Sequence, residues 1–241
     1  MKYGIISDIH SNLPALEKVL EKLKNLGAQK YACGGDIVGY GAEPSKCIEI
    51  IRDLDCVTIA GNHDWAVVNL INPELFNVYA RSAVIWTQQK LKAADLAFLK
   101  QLPLRAYFED FEISHGTVNE PENFDYIQSL EDAQMSFLEM KKSLCFLGHS
   151  HVPIAFFEVG DSVSYSLETN ITHDPLIKTI INVGSVGQPR DENPKASCAL
   201  FDTVTKEVQI HRVEYNIDDT AKAIIDAGLP KILAYRLYEG K

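Results

Sequence analysis

The chain lacks several features that would place it in other classes of protein. It has no apolar run long enough to cross a bilayer, and its first residues lack the apolar core and cleavage site of a signal peptide. Its five cysteines include no CxxC pair, so a cysteine-rich zinc site is not expected. An odd number of unpaired thiols is typical of a cytoplasmic protein with reduced, mostly buried cysteines.

Positive charge is also scarce. Lysine and arginine number 23 against 33 aspartate and glutamate residues, which gives a formal net charge of −10. Such a surface repels phosphate on average, so neither long nucleic acid nor an anionic membrane is an expected partner. A small phosphorylated molecule stays open as a substrate, because a bound metal can outweigh the average field locally.

The pattern of apolar and polar residues along the chain predicts a mixed α/β fold in a single domain spanning 1–241. Strands KYGIIS, KYACGGD and CVTIAGNHD alternate with helices NLPALEKVLEKLKNLG and PSKCIEIIRDL, which favours a parallel sheet. Residues 74–102 carry one long helical pattern, and a further helix is expected near 130–142. The second half predicts a hairpin turning at Gly160 and Asp161, three more strands, and two short helices broken at Gly228–Pro230. We therefore expect a parallel half followed by a more antiparallel half.

Polar clusters follow the predicted strands of the first half. They contain five of the seven histidines of the chain. The clusters are Asp8 with His10, Asp36, Asn62 with His63 and Asp64, His115, and His149 with His151. In an open α/β sheet the crevice beyond the carboxyl ends of the strands binds ligands, so these side chains are expected to meet there.

The residue types in these clusters favour metal. Residues i and i+2 of an extended segment point the same way, which pairs Asp8 with His10 and His149 with His151. Nitrogen and oxygen ligands without thiolate suit Mn, Fe, Co, Ni or Zn, and we expect Mn to support activity best. The ligands suffice for two divalent ions if Asp36 bridges them.

Each of these residues alone has an ordinary interpretation. Asp36 and Asn62 are common turn formers, and a lone histidine at a strand end is more often a hydrogen-bonding residue than a ligand. The joint pattern of five clusters, all at strand ends in a chain otherwise poor in histidine, favours the metal site.

The ordered motifs DxH, GD, GNHD, H and GHSH resemble those of the calcineurin-like metallophosphoesterase superfamily. The stretches GDIVGYG and INVGSVGQPRD resemble its compact bacterial and archaeal phosphodiesterases. The resemblance implies a four-layer α-β-β-α sandwich. It also implies two metal sites that share Asp36. The first site uses Asp8, His10, Asp36 and His151, and the second uses Asp36, Asn62, His115 and His149.

The expected function is hydrolysis of a phosphodiester or a small phosphate ester by a hydroxide that bridges the two metals. His63 and Asp36 are the expected catalytic residues, with His63 donating a proton to the leaving oxygen. Asn62, Arg190 and Tyr40 are candidates for substrate binding, although Arg190 and Tyr40 could equally be structural.

Other functions stay open at this stage. Protein phosphatases of the superfamily carry GDxVDRG, whereas this chain has Gly39 and Tyr40 in place of the second Asp and the Arg, which disfavours that activity and leaves His63 without its acidic partner. A phosphomonoesterase is a second alternative, and a catalytically inactive metal-binding scaffold is a third. A homo-oligomer formed through a strand edge is also compatible with the sequence.

Overall fold

The computed structural model describes residues 1–54 and 56–241. Within these residues the strands are β1 Lys2–Ile6, β2 Lys30–Cys33, β3 Val57–Thr58, β4 Arg105–Tyr107, β5 Glu112–Ser114, β6 Leu144–Leu147, β7 Ile154–Val159, β8 Ser162–Ser166, β9 Asn170–Thr172, β10 Lys178–Asn182, β11 Ala196–Asp202 and β12 Glu207–Val213. The helices are α1 Leu13–Asn25, α2 Pro44–Asp53, α3 Asn62–Val67, α4 Val78–Lys90, α5 Ala93–Lys100, α6 Leu130–Glu139, α7 Ile217–Asp226 and α8 Lys231–Glu239. None of the helices in this part of the chain is both long and apolar enough to span a membrane.

The described strands form two mixed sheets. Sheet I has the order β3-β2-β1-β11-β12-β9, and sheet II has the order β4-β5-β6-β10-β7-β8. The parallel pairs are β1 with β2 and β2 with β3 in sheet I, and β5 with β6 and β6 with β10 in sheet II. The remaining neighbours are antiparallel. Each sheet thus combines parallel and antiparallel strands drawn from both halves of the chain.

The central strands are apolar on both faces because each sheet is covered on both sides. In β1, Ile5 faces the core between the sheets, whereas Ile6 faces the core beneath the helices. In β11, Phe201 faces the core between the sheets and Leu200 faces the core beneath the helices. Helix α1 covers this outer face with the buried residues on its inward side, among them Leu16.

Sheet II has the same arrangement with α6 outside. Phe146 packs between the sheets, while its neighbours Cys145 and Leu147 pack with Phe137 of α6. The layers are therefore helix, sheet I, sheet II and helix. This order confirms the predicted α/β class and its four-layer sandwich.

Several local predictions agree with the structure. Asn12 caps α1 by accepting a hydrogen bond from the backbone N–H of Ala15, at 3.2 Å. The hairpin turns at Gly160 and Asp161, between β7 and β8. The C-terminal pair of helices, α7 and α8, is also present.

The single long helix predicted over 74–102 is wrong. Asn77 caps α4 by accepting from the backbone N–H groups of Tyr79 and Ala80. Leu91 and Lys92 are extended, and the Asp95 carboxylate accepts the N–H of Lys92 to start α5. Two local caps therefore override the helical periodicity.

The strand predicted as CVTIAGNHD is also too long. Strand β3 ends at Thr58, and α3 begins at Asn62. Strands β4 and β9, each of three residues, were not predicted because such short segments carry too few residues to show a period.

Replacing Phe111 by Ala should reduce the free energy of unfolding by about 3–5 kcal/mol. Phe111 is fully buried between the sheets and contacts the rings of Phe146 and Phe201 at centroid distances of 5.3 and 5.7 Å. Urea unfolding followed by circular dichroism measures the loss. Leu176→Ala, at a side chain that is 93% exposed, is the control and should change stability by less than about 0.5 kcal/mol. A loss at Phe111 as small as that of the control would contradict the assigned core.

Candidate metal centre

The candidate site lies where six strands of the two sheets end. The loops that build it follow β1, β2 and β3 of sheet I and β5, β6 and β10 of sheet II. All the predicted metal ligands lie on these loops or, for Asn62, at the start of α3. The carboxyl ends of neighbouring parallel strands meet at one edge, so residues far apart in sequence converge there.

Backbone hydrogen bonds hold the loops together. The N–H groups of Asp8 and His10 donate to the carbonyls of Gly35 and Asp36, at 3.0 and 2.9 Å. The Asp8 carboxylate accepts the backbone N–H of His149, with both oxygens at 3.0–3.1 Å. Asp8 therefore links the loop of the first strand of sheet I to a loop of sheet II.

Five of the predicted ligands have a left-handed backbone. The φ angles of these residues are 55° for Asp8, 48° for His10, 51° for Asp36, 67° for His149 and 62° for His151. Such conformations cost about 1–3 kcal/mol each and cluster at functional sites. The expectation that DIH and HSH are extended segments is thus wrong, although their paired side chains do converge.

Asp8, His10 and His151 form one group. The Nε2 atoms of His10 and His151 are 3.0 Å apart, and the Asp8 carboxylate lies 3.2 Å from His151 Nε2 and 3.9 Å from His10 Nε2. All three side chains are buried. Their ligand atoms are close enough to share one cation.

Asp36, His115 and His149 form a second group next to the first. His115 Nε2 lies 3.4 Å from Asp36 Oδ2, 3.2 Å from His149 Nδ1 and 3.3 Å from Asn62 Oδ1. The same Asp36 oxygen lies 3.6 Å from His10 Nε2 of the first group. Asp36 therefore faces both groups.

Three histidines of these groups are oriented for cation binding by hydrogen bonds from Nδ1 to backbone carbonyls. The Nδ1 atoms of His10, His115 and His151 lie 3.1, 2.7 and 2.5 Å from the carbonyl oxygens of Val38, Gly34 and Gln188. A carbonyl only accepts, so each Nδ1 carries a proton and each ring directs its Nε2 inward, where it is the nitrogen available to a cation. Metal-ligating histidines in proteins are held in this way.

The buried charges of the centre perturb one another. Burial raises the pKa of Asp8 and of Asp36, but His151 beside Asp8 and His115 beside Asp36 outweigh burial and hold both pKa values below the ordinary range. Burial lowers the pKa of His115, but Asp36 and Asp8 reverse this and raise it to about 9. The site therefore stabilises positive charge between two carboxylates.

His63 lies beside these two groups, and with His10 and Asp36 it forms a third group whose ligand atoms lie within 4.8 Å of one another. Its ring contacts those of His10, Tyr40 and Phe76 at centroid distances of 4.9, 4.5 and 5.0 Å. Burial lowers the pKa of His63 to about 4 despite the attraction of Asp36, so the imidazole is neutral at pH 7. Its Nδ1 has no hydrogen-bond partner among the described residues.

Asp64 does not pair with His63. The Asp64 carboxylate accepts the backbone N–H groups of Val38 and Gly61, at 3.2 and 3.0 Å. The orientation of His63 depends instead on close packing, because a Cβ at Gly39 would lie 2.5 Å from His63 Nδ1.

A cavity of about 290 Å³ opens beside the two groups. It is lined by Asp36, Tyr40, Asn62, His63, Ile71, Leu75, Phe76, Asn77, Ala80, Asn123, Phe124, Tyr126, His149, His151 and Arg190. The sequence-based candidates Tyr40, Asn62 and Arg190 are therefore brought to the same cavity. Arg190 donates from Nη2 to the Tyr40 hydroxyl at 3.2 Å and to Gln188 Oε1 at 3.0 Å.

The outer walls of this cavity were not predicted from the sequence. Those walls come from residues 71–80 and 121–126, which were interpreted as helix and turn-rich loop. They contain no histidine and none of the metal-ligand motifs, so the sequence gives no sign that they line a site beyond the aromatic residues Phe76, Tyr79, Phe124 and Tyr126.

A four-layer sandwich with overlapping buried Asp/His groups at the ends of its sheets is the architecture of a metallophosphoesterase. Consistently, the family model described as the calcineurin-like phosphoesterase superfamily domain matches residues 1–206. The chain belongs to this superfamily.

Individual relatives agree with this assignment. An uncharacterized protein of Methanocaldococcus jannaschii is 40% identical over 243 residues, covering 99% of this chain and 98% of the relative. Phosphodiesterase YfcE of Escherichia coli is 24% identical, covering 84% of this chain and 88% of that protein. The crystal structure of a metallophosphoesterase from Sphaerobacter thermophilus superposes with a TM-score of 0.86 at 38% identity, covering 100% of this chain and 99% of that one.

Replacing Gly61 by Ala should lower affinity for Mn²⁺ by roughly 10- to 100-fold, as loss of an outer-shell contact typically does. A Cβ at Gly61 would overlap the Asp36 carboxylate and lie 2.5 Å from its backbone nitrogen, so Asp36 must move. Isothermal titration calorimetry measures the affinity. Gly160→Ala is the matched control, because nothing lies within 4 Å of its Cβ position. Unchanged affinity in a folded Gly61→Ala protein would show that Asp36 is not a ligand.

Proposed function

We propose that this protein is a metal-dependent phosphodiesterase acting on small phosphate esters. The observation that carries the proposal is the pair of facing imidazoles of His10 and His151. Their Nε2 atoms are 3.0 Å apart, and both rings have Nδ1 committed to a carbonyl. Two unprotonated nitrogens at that distance repel each other, and a shared cation removes the repulsion.

Two sets of residues are available to hold two cations, and each set contains one of the two groups described above. One cation would be held by Asp8, His10, Asp36 and His151, and the other by Asp36, Asn62, His115 and His149. When bound, divalent transition ions such as Mn²⁺ supply Lewis acidity and lower the pKa of a water that serves as the nucleophile.

Arg190 and Tyr40 are suited to hold the phosphate. Both line the cavity, and their mutual hydrogen bond fixes the guanidinium beside the histidines. The Nε of Arg190 is buried without a hydrogen-bond partner among the described residues, so the guanidinium has unused capacity to donate to a phosphate oxygen. The GDxVDRG motif of the protein phosphatases has an Arg where this chain has Tyr40. Arg190, from the loop after β10, can supply that positive charge here.

His63 is suited to stabilise the leaving oxygen. It lines the cavity next to Asn62, its ring is held by packing, and its Nδ1 has no hydrogen-bond partner among the described residues. A neutral imidazole donates one N–H, which can hydrogen-bond to the developing alkoxide and stabilise its negative charge.

The charge of the cavity favours a diester over a monoester. Among the described residues that line it, Arg190 alone has a permanent positive charge. A diester carries one negative charge and a monoester close to two, so the diester needs less compensation from the protein. Phosphomonoesterase activity is therefore the second candidate.

With Mn²⁺ added, the protein should hydrolyse bis(p-nitrophenyl) phosphate faster than p-nitrophenyl phosphate at pH 7. Asp36→Ala should abolish both turnover and metal content, because Asp36 faces both groups. Release of p-nitrophenol and elemental analysis of the dialysed protein measure these outcomes. Asp161→Ala, in the exposed turn between β7 and β8, should change neither. Faster monoester turnover would favour the second candidate, and no turnover of either ester by metal-loaded protein would refute the function.

His63→Ala should lower kcat for the diester by about 10²–10⁴-fold while both metals stay bound. The substitution removes the N–H that stabilises the leaving oxygen but removes no proposed ligand. Steady-state kinetics and elemental analysis of the same sample test this role. His211→Ala, in β12 and outside the site, serves as the histidine control. Loss of metal from the His63 variant would instead make His63 a ligand.

A further inference from the structure

The outer part of the cavity is distinct from the metal centre. Residues 71–80 form one wall, and residues 121–126 form the other. Neither segment contains a proposed metal ligand. Both present an aromatic ring to the cavity, Phe76 from the first wall and Tyr126 from the second.

The first wall meets the metal centre at His63. The Phe76 ring stands edge to face with the His63 ring, at a centroid distance of 5.0 Å and an interplanar angle of 80°. Next to it, Leu75 is 79% exposed. Phe76 itself is half-buried against the core, so the largely uncovered apolar surface of this wall comes from Leu75.

The second wall meets the metal centre at His149. The Tyr126 ring is stacked on the His149 ring, with centroids 3.9 Å apart and planes within 18°. Tyr126 is nevertheless 41% exposed. One face of the tyrosine is thus covered by the histidine, while part of the side chain stays exposed and lines the cavity.

Two amides accompany these rings. Asn77 uses its Oδ1 to cap α4, which leaves its Nδ2 as a donor. Asn123 uses its Nδ2 to donate to Glu120 Oε2 at 3.2 Å, which leaves its Oδ1 as an acceptor. Both side chains line the cavity. A group with both hydrogen-bond donors and acceptors on its edge suits this pair, whereas an alkyl chain does not.

Size and charge limit the ligand further. A volume of about 290 Å³ is at the small end of ligand pockets. Besides the metal centre, only Arg190 among the described lining residues offers a permanent positive charge. The cavity therefore suits one phosphate and one ring system, and does not suit a polyphosphate chain.

We propose that the walls formed by residues 71–80 and 121–126 are a subsite for a nucleobase, so that one ester arm of the substrate is a nucleoside. This assignment rests on the proposed phosphodiesterase function for the position of the phosphate. The base stacks on Tyr126 and packs against Phe76, and its edge bonds to Asn77 and Asn123.

Binding affinity, measured separately from turnover, tests the subsite. Isothermal titration calorimetry of the full-length, Mn²⁺-loaded protein compares adenosine 5′-monophosphate with ribose 5-phosphate, which carries the same phosphate but no base. We expect the nucleotide to bind roughly 5- to 150-fold tighter, the range found for stacking of one base on an aromatic side chain. The measured quantity is the ratio of the two affinities. A change in the metal centre that weakens binding of both ligands equally therefore leaves this ratio unchanged.

Tyr126→Leu keeps an apolar side chain but removes the ring, and should reduce this ratio to within about twofold of unity. Phe76→Leu should reduce it in the same direction. Tyr165→Leu, a tyrosine of β8 that is 60% exposed and outside the cavity, is the matched control and should leave the ratio unchanged.

Three results would overturn the subsite. They are a ratio near unity in the unmodified protein, no binding of the nucleotide at all, and octyl phosphate binding tighter than the nucleotide. The last would show that the walls hold an alkyl chain. Selective nucleotide binding without hydrolysis of any diester would leave the subsite in place and refute the proposed function, so the two failures are distinguishable.

Discussion

The hydrogen bonds from the backbone N–H of His149 to the carboxylate of Asp8 connect the two halves of the site. Asp8 follows the first strand of sheet I, and His149 follows β6 of sheet II, 141 residues later. The carboxylate is fully buried, so it needs these donors to stay charged without a large penalty. The Asp8 carboxylate also lies 3.2 Å from His151 Nε2. The loops after β2, β5 and β10 are hydrogen-bonded to the same framework.

The local backbone is arranged to keep that framework compact. Asp8, Asp36 and His149 adopt left-handed conformations, and glycines lie where the loops touch most closely. A Cβ at Gly148 would overlap the Asp8 carboxylate, and one at Gly35 would lie 2.5 Å from the backbone nitrogen of Gly61. The sandwich beneath the loops supplies the rigidity that lets such strained turns persist.

Much of this arrangement follows from patterns along the chain. Apolar strands ending in polar residues predict the α/β class and the edge at which Asp8, His115 and His149 meet, whereas the four layers were implied by the resemblance of the motifs to the superfamily. The geometry of the turns does not follow, because a left-handed aspartate or histidine has no distinctive neighbours in the sequence. The break at Leu91 depends on the Asp95 cap, and the cavity walls depend on tertiary placement of Phe76 and Tyr126. The period of apolar residues along the sequence indicates which side chains are buried, and it carries no information on individual contacts such as these.

The separation between the loops that carry the proposed ligands and the two outer walls has an evolutionary consequence. Residues 71–80 and 121–126 meet His63, His115 and His149 through aromatic rings, and the side chains they place in the cavity include no carboxylate or imidazole. Substitutions in these short segments can therefore alter the walls without replacing any proposed ligand. Members of the superfamily that share the ligand set are free to diverge in the shape of the adjoining cavity.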